Sequence, residues 1–270
     1  MIGIGKNLFK SNVKAAGGIT YDADALAYFT ANTSITSAAD KNAINTFYLG
    51  LKSDGIYTKM KAMYLPLWST ATNNKWNLKN PLNTDAAYRL SFATGWTHSS
   101  TGITPNGTTA YADTYLTPST ALTLNSTHLS YYSRTNITTD VYTIGAFDNT
   151  NSLSMYANYA GNNYSNQYNG ANGRLLVATA RGDGFFLSNR TASNIHNSWR
   201  NSTKLGTSTV STSLGSLPTF NILLAAIQST FVDGLKQCSF ASIGNGLTDA
   251  EATNFYTRVN TLMTYFGINV

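Results

Sequence analysis

Leu129, Tyr131 and Ser133 alternate with His128, Ser130, Tyr132 and Arg134. A period of two sends successive side chains to opposite faces, so this run predicts a β-strand with two different surfaces. Upstream, Asn106-Gly107 is a turn signal, because glycine reaches positive φ at low cost. The β-rich run that starts at Thr108 is expected to stop at Pro118, which cannot donate a ladder hydrogen bond. Residues 89–96 read as a strand and residues 99–107 as a turn region. Further strand candidates recur at 141–147, 152–160, 174–180, 184–190, 194–200, 204–211, 219–226 and 235–242, and Asn201-Ser202 is placed for a tight hairpin. No helical crossovers separate them, as a parallel sheet would need. The pattern predicts a mainly β protein, an antiparallel two-sheet β-sandwich.

Helical periodicity is found at the two ends. Asp22 can cap a short helix that buries Leu26 and Phe29. Ser37 with Asp40 forms a second N-terminal cap, followed by Ile44, Phe47, Tyr48 and Leu51 at helical spacing, and Gly55 supplies the stop. Ile56, Met60, Met63 and Tyr64 predict a further helical turn or two before Pro66. Each piece has one apolar face, so residues 19–66 are expected to form a small helical annex packed on the sandwich. Thr248-Asp249-Ala250-Glu251 is a capping box for a helix over 248–266, with Phe255, Val259, Leu262, Met263 and Phe266 as its buried stripe. That helix closes a sandwich spanning 67–270.

Residues 1–18 read as an arm. Ile2, Ile4, Leu8 and Phe9 are apolar, but the intervening glycines prevent a self-contained element. The arm is expected to add to an exposed edge on another chain, as homo-oligomer or on a different protein, against the competing reading that it pairs within its own sandwich.

Composition narrows the function. Only 11% of the 270 residues are charged, and 17 are tyrosine, a balance suited to wet strand faces and long loops. The net charge of +6 comes from scattered residues, so a solvated surface is expected and nucleic acid is not. No run of about twenty apolar residues occurs, so membrane insertion is not expected either, and the N-terminus lacks the apolar core of a signal peptide. The single cysteine, Cys238, excludes an internal disulfide and alternates with Phe240 as a core residue.

Two resemblances follow from particular residues. Asn106-Gly107 with the tyrosine-bearing run after it, Phe231-Val232-Asp233-Gly234, and Gly244-x-Gly246-Leu247-Thr248-Asp249-Ala250-Glu251-Ala252 before the last helix resemble the concanavalin A-like, laminin-G-type jelly roll. The whole arrangement is also similar to a family of virion and prophage proteins of phages of Bacteroidetes. That likeness rests on Lys59 through Tyr64, Lys75 through Pro81, Gly95 through Gly102 and Cys238 through Gly244, and it covers nearly everything after residue 20. It implies a virion location, other virion proteins as partners, and a non-enzymatic structural protein whose sandwich meets host glycan or receptor. A purely structural decoration protein and a glycan-cleaving enzyme of the same fold are the alternatives.

The chemistry favours a binder. Glycoside hydrolysis needs two close carboxyl groups, and the chain has one glutamate, Glu251, already used by the capping box. A pair drawn from Asp113, Asp140, Asp148, Asp183 and Asp233 is the residual enzymatic reading. His98, His128 and His196 sit among serines and threonines by composition, without a nucleophile motif. No cofactor is expected; calcium at Asp148 or Asp233 is the metal that the resemblance leaves open, and turn-forming aspartate is the plainer explanation. Arg181-Gly182-Asp183 is read as a hairpin turn. The candidate ligand residues are Tyr156, Tyr159, Tyr164 and Tyr168, set in an Asn/Ser/Gly-rich stretch from Met155 to Gly173. Rigid amphipathic rings beside adaptable polar groups suit sugar faces, and equally a subunit contact or a solvated loop.

Overall fold

The alternation at residues 127–133 is realised as a strand buried on both faces. The computed structural model describes residues 19–139, 142–168, 174–210 and 215–270. The arm residues Ile2, Ile4, Leu8 and Phe9, and Asp140, lie outside them.

In chain order, α1 (Ala23–Ala31) and α2 (Ala38–Ser53) precede β1 (Met60–Tyr64), the short α3 (Ala71–Asn74) and β2 (Ser91–Phe92). Then come β3 (Trp96–Ser99), β4 (Gly102–Pro105), β5 (Ala112–Asp113), α4 (Pro118–Ala121) and β6 (Thr127–Ser133). The next strands are β7 (Ile144–Phe147), β8 (Ser152–Tyr159), β9 (Asn162–Gln167), β10 (Leu175–Ala178), β11 (Gly184–Ala192), β12 (Ile195–Arg200) and β13 (Thr203–Ser208). The chain ends with β14 (Leu223–Leu224), β15 (Ala226–Gln228), β16 (Phe231–Val232), β17 (Cys238–Gly244) and α5 (Asp249–Tyr265).

These strands form two large antiparallel sheets. The eight-stranded one runs β13-β12-β11-β6-β17-β4-β3, with β1 also pairing with β17; the seven-stranded one runs β10-β9-β8-β7-β14-β5-β2. A small β15-β16 hairpin stands apart and packs on β7. The protein is a mainly β sandwich with a few helices.

Strand alternation decides which layer each side chain joins. Leu129 and Tyr131 of β6 enter the core between the sheets, beside Phe186, Ile243, Leu153 and Met155. Tyr132 points the other way, into a second core with Phe185, Trp199 and Phe240 and the apolar stripes of α2 and α5. The eight-stranded sheet is therefore covered on both faces, whereas among the described residues the outward face of the seven-stranded sheet is covered by the β15–β16 hairpin at β7 and carries exposed side chains elsewhere. Phe255 is fully buried among Phe185 and Phe240, with ring centroids 5.3 and 5.9 Å away. The capping box forms as expected: Glu251 N–H donates to Thr248 Oγ1 at 3.3 Å, and Thr248 N–H donates to Glu251 Oε2 at 2.7 Å.

Several local expectations are corrected. Residues 60–64 form a strand rather than helical turns, because β17 has an edge to fill and β1 pairs with it from Tyr64 to Met60. Ala62 and Tyr64 then enter the inter-sheet core while Met60 and Met63 face the helices. The proposed turn at 99–107 contains β4, which makes a hairpin with β3, and of residues 89–96 before it Ser91–Phe92 forms β2 while Trp96 already opens β3. The run after Thr108 contributes only Ala112–Asp113, and Pro118 opens α4, at whose start its missing N–H costs nothing. Asn106-Gly107 carries the chain from one sheet to the other; Gly107 has φ 78°, and Asn106 Oδ1 accepts the N–H groups of Thr108, Thr109 and Ala110. Cys238 and Phe240 are both core but lie in different layers, because the register shifts between them. Burial pushes the Cys238 thiol well up.

Candidate functional site

The stretch from Met155 to Gln167 is a hairpin rather than a loop. Met155 and Ala157 of β8 face the core, so Tyr156 faces outward; its Cα partner on β9 is Tyr164, and the partner of Tyr164 on β10 is Leu176. The Tyr156 and Tyr164 ring centroids are 5.7 Å apart, and a register shift before Tyr159 brings its ring within 5.8 Å of Tyr164. Three of the sequence candidates therefore share one surface.

The fourth does not. Tyr168 takes φ 53°, is 1% exposed and sits in the inter-sheet core. Its hydroxyl accepts the Asn125 N–H at 2.6 Å, and the Arg190 guanidinium lies 5.3 Å from its ring. It is a structural residue.

Two rings that the sequence did not mark as ligand residues extend the surface. Tyr142 lies 5.5 Å from Tyr156, and Phe231 of β16 lies 6.0 Å from Tyr142 and 6.2 Å from Phe147. Arg174 stands 5.8 Å from the Tyr164 ring at the other end. The result is a continuous aromatic row on the open face of the seven-stranded sheet. Tyr159 is 38% exposed, Phe231 40% and Leu176 51%, so the row is reachable. Tyr142 precedes β7 and Phe231 belongs to β16, and the β7–β8 pairing and the folding of the β15–β16 hairpin onto β7 bring them in.

The surroundings favour the neutral, donating form of two of the hydroxyls. Burial, then the neighbouring Tyr142, pushes the Tyr156 hydroxyl up to about 12. Burial followed by the nearby Asp233 raises Tyr142 as well. Asp233 is itself raised by burial, with the Tyr142 backbone opposing, and its Oδ1 is buried without a hydrogen-bond partner among the described residues. A row of hydroxyl-tipped rings beside one carboxyl and one guanidinium stacks on apolar ring faces while bonding to hydroxyls.

The other candidates have structural duties. Asp148 accepts from the N–H groups of Thr150, Asn151 and Thr219; burial would raise its pKa, but these donors outweigh it and the net shift is downward. Asp183 is 4% exposed and held by Arg181 and Arg200, so the Arg-Gly-Asp tripeptide keeps its carboxylate inside. Glu251 also meets Lys59 Nζ at 2.5 Å. His128 is not isolated among its serines: its ring bonds Asn245 O at 2.6 Å and Ser242 Oγ at 3.0 Å, and Ser130 bonds Ser242 at 2.6 Å, with His128, Ser130 and Ser242 fully buried. Among the described residues, no group of three or more His, Cys, Asp or Glu side chains is placed to hold a metal ion, and no helix is long and apolar enough to cross a membrane.

No protein-family model matches the chain, and comparison with curated proteins finds no match. Solved structures do resemble it. The binding domain of botulinum neurotoxin serotype D superposes with TM-score 0.54 at 8% identity, covering 77% of this chain and 52% of that one. The receptor binding domain of the botulinum neurotoxin C/D mosaic serotype gives 0.52 at 7%, covering 75% and 52%. A Trypanosoma rangeli sialidase in complex with 2,3-difluorosialic acid gives 0.55 at 10%, covering 82% and 39%. The chain thus spans about half the length of the toxin chains and less of the sialidase. At these identities the likeness is one of fold, and the fold is the jelly-roll β-sandwich.

Proposed function

We propose that this is a non-enzymatic, lectin-like domain that holds an extended glycan along the aromatic row. The observation that carries the reading is the run of contacting rings from Tyr164 through Tyr156 and Tyr142 to Phe231, with Phe231 and the neighbouring Tyr159 exposed among the described residues. Successive pyranose rings present alternating apolar faces and hydroxyl edges, which a row of tyrosines matches. Two structural neighbours are named as binding or receptor-binding domains, which agrees with the reading without adding to it. The motif likeness to Bacteroidetes phage proteins supports a place on the virion, on capsid or tail, with the arm residues Ile2, Ile4, Leu8 and Phe9 as the attachment to other virion proteins or to further copies of this chain.

Retention of the purified protein on host-surface polysaccharide tests the glycan reading. Retention that is lost in Tyr156→Ala/Tyr164→Ala at unchanged thermal stability is the expected result. No retention, with the row instead buried in an oligomer, would favour the purely structural role that exposed Leu176 also suits. Release of oligosaccharide would overturn the non-enzymatic reading.

A further inference from the structure

A groove of about 380 Å³ lies on the same sheet face, on the other side of the β15–β16 hairpin from the row. Its floor follows from alternation. Leu224 and Ala112 enter the inter-sheet core, so their neighbours Leu223 and Asp113, which are Cα partners, face outward, and Tyr111 shares the face of Asp113 two residues on. Phe220 and Asn221 form one wall and the hairpin tip at Gln228–Thr230 the other. Phe220 is 42% exposed.

The polar groups here are fixed before any ligand arrives. Asp113 Oδ1 accepts the Tyr115 N–H at 2.7 Å, and Oδ2 accepts Asn221 Nδ2 at 3.2 Å. Asn221 Oδ1 in turn accepts the Thr117 hydroxyl at 2.6 Å. Each carboxylate oxygen keeps acceptor capacity and the Asn221 amide keeps one N–H. A planar carboxylate beside an amide donor matches two adjacent hydroxyls, and the Phe220 and Tyr111 rings offer faces for the C–H side of the same ring. The volume lies within the roughly 300–1,000 Å³ of small-molecule clefts.

We infer that this groove is a separate subsite for one neutral hexose. Asp113 lies in the groove and Asp148 is bonded to Thr219 on its wall, and among the described residues that line it there is no Lys or Arg. Anionic sugars such as uronic or sialic acids are therefore disfavoured. The β15–β16 hairpin separates the two sites, Thr230 lining the groove and Phe231 belonging to the row, so each takes its ligand on its own.

Ligand-observed NMR titration of the full chain with the methyl glycosides of glucose, mannose and galactose, and with glucuronate, tests this. Saturable binding of at least one neutral glycoside is expected, weakened roughly tenfold or more in Asp113→Asn and lost in Phe220→Ala. Glucuronate is expected not to bind. Absence of binding by all three glycosides, preference for glucuronate, or full affinity in Phe220→Ala would each overturn the subsite. Phe220 is exposed, so its variant decides the matter if Asp113→Asn fails to fold. The row reading stands or falls separately, on polysaccharide retention in Tyr156→Ala/Tyr164→Ala.

Discussion

Tyr156 and Tyr164 are directly opposed across the β8–β9 ladder with ring centroids 5.7 Å apart, which makes them the middle of the aromatic row. Both are partly exposed, so they contribute more to what the face can hold than to the core. Tyr164→Ala is expected to cost only about 0.5–1.5 kcal/mol of stability, the worth of one cross-strand aromatic pair. Glycan retention should fall by roughly tenfold or more in the same variant. A variant that unfolds readily but binds normally would place the pair in the core and not in a site.

Phe255 and Leu262 behave oppositely. Both are almost completely buried between α5, α2 and the eight-stranded sheet. Truncation of either to Ala should lower the unfolding free energy by about 2–5 kcal/mol. Denaturant titration reads this directly, and an unchanged midpoint for both would mean that the helix is an appendage.

What the sequence disclosed, and what it hid, divides by the range of the interactions. The α5 helix was legible because its cap, stripe and stop lie within one segment. The two faces of β6 were legible because alternation is local; that one face meets helices and the other a second sheet was not. Met60, Met63 and Tyr64 fit helical spacing, a register shift between Met60 and Ala62 hides the strand alternation, and the deciding partner, β17, lies near the far end of the chain. The row was half-legible. Tyr156, Tyr159 and Tyr164 belong to one hairpin, whereas Tyr142 and Phe231 enter through pairings that no local pattern announces. Tyr168 was misleading because its composition is that of its neighbours, yet a positive φ at the strand end turns it inward.

The Gly244-x-Gly246 pair has a packing reason. Neither has a positive φ, but a Cβ on Gly246 would meet Arg190 O at 2.1 Å, and one on Gly244 would meet Lys59 O at 2.3 Å. These are backbone atoms, so they cannot swing aside. Gly246→Ala is expected to destabilise by at least about 1–3 kcal/mol, the cost of overpacking. Thermal unfolding of this variant within a degree of the wild type would contradict the close approach.

His128 sets an acid limit on the fold. Asn245 O can only accept, so His128 Nδ1 carries the proton and Nε2 accepts from Ser242. Burial lowers the ring's pKa to about 4, with Lys59 adding to the shift and the Asn245 carbonyl opposing it; Lys59 is itself paired with Glu251. In the unfolded chain the same ring titrates near 6.5. Above that pH neither state is protonated and the contribution is intact. As pH falls from about 6.5 to about 4, the unfolded chain takes up a proton that the native state refuses, and stability drops by up to about 1.4 kcal/mol per unit, roughly 3 kcal/mol in all. Half-buried His98, also lowered by burial, adds a smaller effect of the same sign. The depressed carboxyls Asp148, Asp183 and Glu251 act in a lower window, losing their contribution as pH falls through the acidic range below 4. Unfolding free energy measured across pH 4–7 should therefore slope in the wild type and flatten in His128→Gln. If that variant does not fold, NMR of the wild-type ring gives the answer, since a midpoint near 6.5 in the native state would refute the buried neutral histidine.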